Sequence, residues 1–541
     1  MNSDVCIITE GTFPYVMGGV STWIAQIIES MPDLKFSVLN ISPSRKTHRE
    51  IRYDLPKNLV GISDAFIFDS AFSGLANLEN LQDVFLFDYA RPRLGKEIIN
   101  CRTLTREREE ALLGVYRALS TGRSLAMGDL SALVQEFESD EEFIETMAHS
   151  SSAWEVIKRL YHEIGIPGLS FLDYFWSFRA QYMPIFNVLR ASLPKARVYH
   201  AACTGYAGLL GARAAYESGR PLILTEHGIY SRERRIELAK VDWLSSSGES
   251  RFLQLERSRN WFRERWMALF QSLSHAAYDN ASKIISLYRG NGEIQISEGA
   301  PRDKVEIIPN GIITDTFRNI PRQRKTPGEP LRVGFVGRVV SIKDIKTLLR
   351  AMALLSAWDV PFRTTIVGPL DEEPEYVAEC LDLLEKLNLY DKVFFVGPRR
   401  DLDKVYAEMD VLLLTSASEG FPYVVLEANC AGLPVVATDV GACRDILTGI
   451  GKDDRALGPS GRITAVGNPE ATASELARFA RDPDALYAYG QTGRERALRY
   501  YDLKKIMRQY RDIYDTYIFA AKKSRHDRAK NEARLLPQGG N

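Results

Sequence analysis

A chain of 541 residues calls for two large domains or more, and its 45% hydrophobic residues suffice for ordinary globular cores. Its 69 Lys and Arg against 70 Asp and Glu leave a formal net charge of −1, which argues against a broad nucleic-acid footprint. No apolar run approaches the roughly 18 residues of a membrane helix, no basic-then-apolar opening suggests a signal peptide, and six scattered cysteines without a close C-x-x-C pair read as reduced core residues of a cytoplasmic protein.

Val5-Cys6-Ile7-Ile8-Thr9 has the apolar pattern of a buried strand. A loop from Glu10 to Gly19 follows, then a helix from Val20 to Ser30 and a strand Phe36 to Leu39. This is a Rossmann-like opening, and Gly18-Gly19 at the helix entrance lets backbone approach a phosphate or an acceptor. Residues from about 75 to 195 break the alternation and read as amphipathic helices, among them Thr105–Ser120, Asp129–His149 and Trp154–Ile164. Their aromatic residues, Tyr161, Phe171, Tyr174, Phe175, Trp176 and Phe178, suit a small helical core or a docking surface for a partner or glycan.

Alternation resumes at Arg197-Val198-Tyr199-His200. Gly205, Gly208 and Gly211 then fall three apart on a helix, a spacing that permits close packing rather than nucleotide binding. Leu222–Thr225 is a strand that ends in Glu226-His227-Gly228, and the carboxyl end of a parallel strand is where open α/β sheets bind ligands. Arg232–Arg235 reads as a charged helix face near that end. Lys283–Ser286, a helix and Val305–Gly311 close the first domain, and Asn319–Pro330, polar and with three prolines, reads as a linker.

The second domain opens with Arg332-Val333-Gly334-Phe335-Val336-Gly337-Arg338 and a helix from about Ile342 to Leu355. Arg338 and Lys343 flank the entrance to that helix, as a diphosphate site requires. Strands follow at Thr364–Val367, Val393–Val396 and Val411–Leu414, and the loop at Gly397 suits a nucleobase. Asp401-Leu402-Asp403 spells D-x-D, and its position marks it as a helix start rather than a metal site. After Val411–Leu414 comes a small polar loop, Pro422, a helix ended by Gly432 and Pro434, and the strand Val435–Ala437. Glu419 stands just before that helix and Glu427, seven residues further, stands inside it. The helix N-terminus attracts phosphate, and the two carboxylates suit hydroxyls on either side of it, which is the shape of a nucleotide-sugar. Helical patterns cover Pro469–Tyr500 and Leu503–Phe519, and the last 20 or so residues are basic and polar and read as disordered.

Four blocks carry a family resemblance: Thr9–Val20, Thr225–Tyr230, Gly337-Arg338 with Lys343, and Glu419–Gly432. The chain resembles retaining GT-B glycosyltransferases of family GT4, and among them those of Pel exopolysaccharide synthesis. The resemblance implies an α/β fold, GT-B, with two Rossmann-like domains facing a cleft and a helical insertion in the N-terminal domain. The domains would be an acceptor domain at 1–318, a linker at 319–330, a donor domain at 331–500, a terminal helix at 501–520 crossing back to the first domain and a tail at 521–541. It implies that Gly18 and Gly19 lie near the diphosphate and acceptor, that His227 contacts the donor sugar, and that Arg338 and Lys343 neutralise the diphosphate. Glu419, with the amides of Gly420 and Phe421, would hold the sugar and its phosphate, and Glu427 would accept from the ribose hydroxyls. Asp344 departs from a usual Gly and Asp445 from a frequent Glu. The expected donor is a UDP-sugar used without a cofactor or metal, the acceptor is a glycan, and the expected partners are inner-membrane Pel synthase components (PelD, PelE, PelG). No nucleic-acid partner is expected. The competing readings are a UDP-sugar 2-epimerase of the same fold and a non-catalytic nucleotide-binding scaffold of a synthase complex.

Overall fold

The computed structural model describes residues 2–45, 50–68, 103–137, 142–143, 146–147, 150–165, 170–240 and 252–535. The predicted helix over 129–149 and the start of the predicted insertion lie partly outside them, as do Cys101 and residues 536–541. The chain divides into two compact units, one of residues 1–285, 294–306 and 511–541, the other of residues 286–293 and 307–510. The predicted boundary at 318 therefore moves to 306. The stretch 319–330 belongs to the second unit rather than standing between units. Arg322 anchors it there, donating to the carbonyls of Tyr406 (2.6 Å), Met409 (2.8 Å) and Ala431 (2.8 Å).

The first unit is built on a seven-stranded sheet: β1 (Asn2–Glu10), β2 (Phe36–Ser44), β3 (Leu59–Phe68), β4 (Lys195–Ala201), β5 (Leu222–Glu226), β6 (Ala281–Ser286) and β7 (Val305–Ile307). The strand order is β3-β2-β1-β4-β5-β6-β7, with β1 parallel to both β2 and β4. Sequence order reverses between β1 and β4, so the ends of these two strands open the crevice where such sheets bind ligands. Between β3 and β4 stand the described helices Arg106–Thr121, Met127–Gln135, Ser151–Ile164 and Phe171–Leu189. Capping sets their ends. Thr105, Ser150 and Ser170 each accept from a first-turn amide, and Gly122 and Gly165 stop their helices in the left-handed region at φ 72° and 56°. Tyr174, Phe175 and Phe178 are buried, and Tyr116 packs within 4.6 Å of Phe178 and 5.1 Å of Tyr182, ring centre to ring centre. These aromatics form the core of the helical layer. The two glycines of helix Tyr206–Ser218 serve close packing, with Gly205 as its N-cap: a Cβ on Gly208 would stand 2.9 Å from that of Ala277, and one on Gly211 would stand 2.7 Å from Leu222.

The second unit holds β8 (Leu331–Val336), β9 (Phe362–Val367), β10 (Val393–Gly397), β11 (Val411–Leu414), β12 (Val435–Thr438) and β13 (Gly461–Thr464). They form a six-stranded parallel sheet ordered β10-β9-β8-β11-β12-β13. Val411–Leu414 is buried throughout, as a strand covered on both faces requires. The order reverses between β8 and β11. The terminal helix runs Leu503–Leu535, beyond the predicted 520, so helix replaces part of the expected disordered tail. From Arg511 onward it belongs to the first unit. There Tyr514 is fully buried beside Phe36 and hydrogen-bonds His200 Nδ1 at 2.6 Å.

Candidate functional site

In the second unit the loops after β8 and β11, the strands flanking the reversal, bring the predicted residues together. Lys343 ends the tight turn Ser341–Lys343, and its Nζ lies 2.5 Å from Glu419 Oε1. Ser416 Oγ donates to the same oxygen at 2.6 Å. Both donors take the same oxygen of Glu419, Oε1. Ala417 N donates to the carbonyl of Ile342 (2.8 Å), and Thr415 Oγ1 donates to those of Lys343 (3.1 Å) and Asp344 (3.0 Å), so backbone locks the two loops to each other.

The helix predicted from Ile342 begins at Ile345, because Asp344 takes the left-handed conformation at φ 47° and breaks the chain there. That conformation explains why a glycine suits the position. Here the aspartate compensates by capping: its Oδ1 accepts from Thr347 N at 3.1 Å. Its carboxylate is thereby directed into the helix start.

Arg338 stands on the same loop, and its guanidinium pairs with Glu372 at 2.7 Å. The neighbouring Glu373 accepts from Ser341 N at 2.8 Å. Both acids come from the loop after β9, and the sequence reading missed them. The ends of β8, β9 and β10 are stitched by Gly337 N to Val367 O (2.9 Å) and Gly368 N to Gly397 O (3.0 Å). Gly397 has φ 74° and open space where a Cβ would stand. Asp401 of the D-x-D pairs with Arg399 at 2.6 Å, just ahead of the helix Leu402–Ala407.

Pro422 is the N-cap of the helix Tyr423–Cys430, one position ahead of its predicted place in the first turn. Gly420 and Phe421 precede it, and Ala442 N holds the Gly420 carbonyl at 2.9 Å. Gly441, at φ 52°, lies under this loop: a Cβ there would stand 2.3 Å from the carbonyl oxygens of both Glu419 and Gly420. Glu427 is half-buried in the helix and accepts from Tyr406 Oη at 2.7 Å. Burial holds its carboxyl above the ordinary carboxylate range, and the Tyr406 hydrogen bond opposes that rise.

In the first unit, Gly18 is extended and exposed, with open space at its Cβ, and Gly19 begins the helix Gly19–Ser30. His227 follows β5 directly. Its ring meets Trp23 edge-on at 4.5 Å, its Nε2 is buried without a hydrogen-bond partner among the described residues, and burial pushes its pKa down to about 3. Two acids missed by the sequence reading support this edge. Glu226 is fully buried and accepts from Thr204 Oγ1 (3.0 Å), Tyr230 N (3.1 Å), Tyr278 Oη (2.9 Å) and Gln295 Nε2 (2.9 Å). Glu10, at the end of β1, accepts from Tyr206 N (3.1 Å) and Tyr230 Oη (2.8 Å). The signal in the sequence was an acid at each strand end. Its partners lie scattered along the chain.

Residues 3–303 match the family model described as a domain of unknown function, DUF3492, and residues 316–496 match the model described as glycosyl transferases group 1. A D-inositol 3-phosphate glycosyltransferase of Corynebacterium urealyticum is 32% identical over 254 residues, 43% of this chain and 58% of that protein. An N-acetyl-alpha-D-glucosaminyl L-malate synthase of Bacillus anthracis is 27% identical over 173 residues, 32% of this chain and 42% of that protein. The chain spans about half the length of the curated relatives it matches. Among solved structures, Anabaena HepE in complex with UDP and glucose superposes with a TM-score of 0.52 at 16% identity, covering 95% of this chain and 99% of HepE. Sucrose-phosphate synthase of Thermosynechococcus elongatus gives 0.52 at 18%, with 95% and 99% covered. The fold is GT-B, and the chain belongs to the DUF3492 family with a group 1 glycosyl transferase domain.

Proposed function

We propose that this member of the DUF3492 family is a retaining glycosyltransferase that moves a hexose or N-acetylhexosamine from a UDP-sugar to a growing exopolysaccharide. The observation that carries the reading is the seating of Lys343 and Glu419, 2.5 Å apart, on the two loops at the switch point of the second sheet. A diphosphate entering there meets Lys343, Arg338 and the start of the helix Tyr423–Cys430, all preorganised for negative charge. Glu419 and Glu427 then flank the phosphates as acceptors for hydroxyls of the sugar and the ribose. The uridine assignment draws support from HepE, whose structures hold UDP.

Breaking the anomeric C–O bond puts charge on the leaving diphosphate, and losing one cation there costs about 100-fold or more in rate. The acceptor hydroxyl attacks from the leaving-group face and gives its proton to the donor phosphate. No protein nucleophile or metal enters this scheme. The contact of His227 with the donor sugar rests on the resemblance of Thr225–Tyr230, and burial keeps this imidazole neutral. No helix among the described residues is long and apolar enough to cross a membrane. A Pel-type role at the cytoplasmic face of the inner membrane, as in PelF, with partners such as PelD, PelE and PelG, rests on the resemblance of Thr9–Val20 and of the helical insertion.

A nucleotide-binding scaffold is the second reading. It draws on the carboxylate already paired with each cation, Glu372 on Arg338 and Glu419 on Lys343. The test is UDP release from UDP-glucose, UDP-GlcNAc and UDP-GalNAc with glycan acceptors and EDTA present. Turnover to an α-retained product supports the transferase. UDP binding without turnover moves the weight to the scaffold, and a C2-inverted sugar product would identify an epimerase.

A further inference from the structure

Tyr406 is fully buried on the short helix Leu402–Ala407, with its ring edge-on to Phe317 at 5.5 Å. A phenylalanine would fill the same space. The hydroxyl is therefore not there for packing, and burying it without a partner is costly. Its partner is Glu427 Oε2, 2.7 Å away and 21 residues along the chain. An ionised carboxylate offers about four acceptor directions, and Tyr406 fills one. No other side chain or backbone amide among the described residues donates to the Glu427 carboxylate. The hydrogen bond also restrains the torsion of the carboxylate, because the tyrosine ring is fixed in the core.

We infer that Tyr406 is a positioning residue, which pins one oxygen of Glu427 so that the other is presented to a vicinal diol, the ribose of the nucleotide donor. The inference rests on the donor-site reading above. It adds a residue to the recognition of ribose that never touches the ligand. The titratable groups facing Glu427 are Tyr406 and, one turn earlier on its own helix, Tyr423.

The test compares UDP with 2′,3′-dideoxyuridine diphosphate by calorimetry in wild type, Y406F, E427Q and the double variant. Wild type should prefer UDP by about 10- to 100-fold, the worth of hydrogen bonds to a charged acceptor. Y406F should cut that preference about tenfold while dideoxyuridine diphosphate binds within about twofold of wild type, which also reports an intact fold. In the E427Q background, Y406F should change nothing further. The preference should also fail at higher pH in Y406F than in wild type, because removing the donor lets burial raise the Glu427 carboxyl further. Taking the ratio of two diphosphates removes the titration of the phosphate itself. If E427Q abolishes the preference and Y406F leaves it, Tyr406 is a packing residue and the donor reading stands. A parallel loss of both ligands in Y406F overturns the positioning role in the same way. No preference in wild type removes the ribose assignment itself, and the inference with it.

Discussion

Before any ligand arrives, two carboxylates of the β9 loop occupy two donors of the proposed phosphate loop. Glu372 holds Arg338 at 2.7 Å and Glu373 holds Ser341 N at 2.8 Å. A diphosphate must displace them, so removing them should tighten nucleotide binding. The size of the effect follows from exposure. The side chains of Arg338 and Glu372 are 56% and 43% exposed, so the pair belongs with surface ion pairs worth about 0.2–1 kcal/mol. Glu372→Gln should then strengthen UDP binding about two- to fivefold, and adding Glu373→Gln should bring the gain to about tenfold. The competition is between exposed charges. It should be largest near 10 mM salt, where the Debye length is about 30 Å, and shrink near 150 mM, where it is about 8 Å. Calorimetry at both salts measures it. Unchanged or weaker UDP binding by the double variant at low salt would refute the competition.

Two further predictions concern the framework of the site. Burial pushes the pKa of both His200 and His227 down to about 3, against about 6.5 unfolded, so the unfolded chain binds more protons as pH falls below 6.5. Above that pH their titration leaves stability unchanged. By pH 5 each should remove about 2 kcal/mol from the first unit, seen as a urea midpoint that falls in the wild type and stays nearly level in a His200→Gln, His227→Gln variant over pH 7 to 5; a variant whose midpoint falls as steeply as the wild type's would contradict this. Gly441→Ala places a Cβ 2.3 Å from two carbonyl oxygens of the Glu419 loop, so UDP affinity should fall at least about tenfold. Gly458→Ala is the control: it has the same left-handed strain at φ 88° with nothing within 4 Å, and it should leave affinity within about twofold.

The architecture was legible wherever backbone chemistry is local. Val411–Leu414, the loop to Phe421, Pro422 and Gly432 spell strand, loop, helix and stop in consecutive residues, and Gly205, Gly208 and Gly211 declare a packed helix by spacing alone. Two of the elements that went unread show why. β3 (Leu59–Phe68) carries its signal in Ala65-Phe66-Ile67-Phe68, a run that is only half-buried along much of its length. The helix Phe252–Asn280 is 29 residues long and mixes charge with aromatics, which blurs its apolar stripe. The sequence also cannot reveal partnerships made by folding. Glu427 with Tyr406, Arg338 with Glu372 and Glu226 with its four donors join residues that only the sheet order brings together. Asp344 shows the converse case, where the departure from glycine was visible but its left-handed backbone and capping role were not.

The most direct test of the central claim is calorimetric binding of UDP against ADP and GDP to the wild type, to Arg338→Ala and to Glu427→Ala. The account predicts selective UDP binding that each substitution weakens at least about tenfold. Equal binding of the three nucleotides, or UDP binding that neither substitution disturbs, would contradict the assignment of the second unit as the site of the nucleotide-sugar.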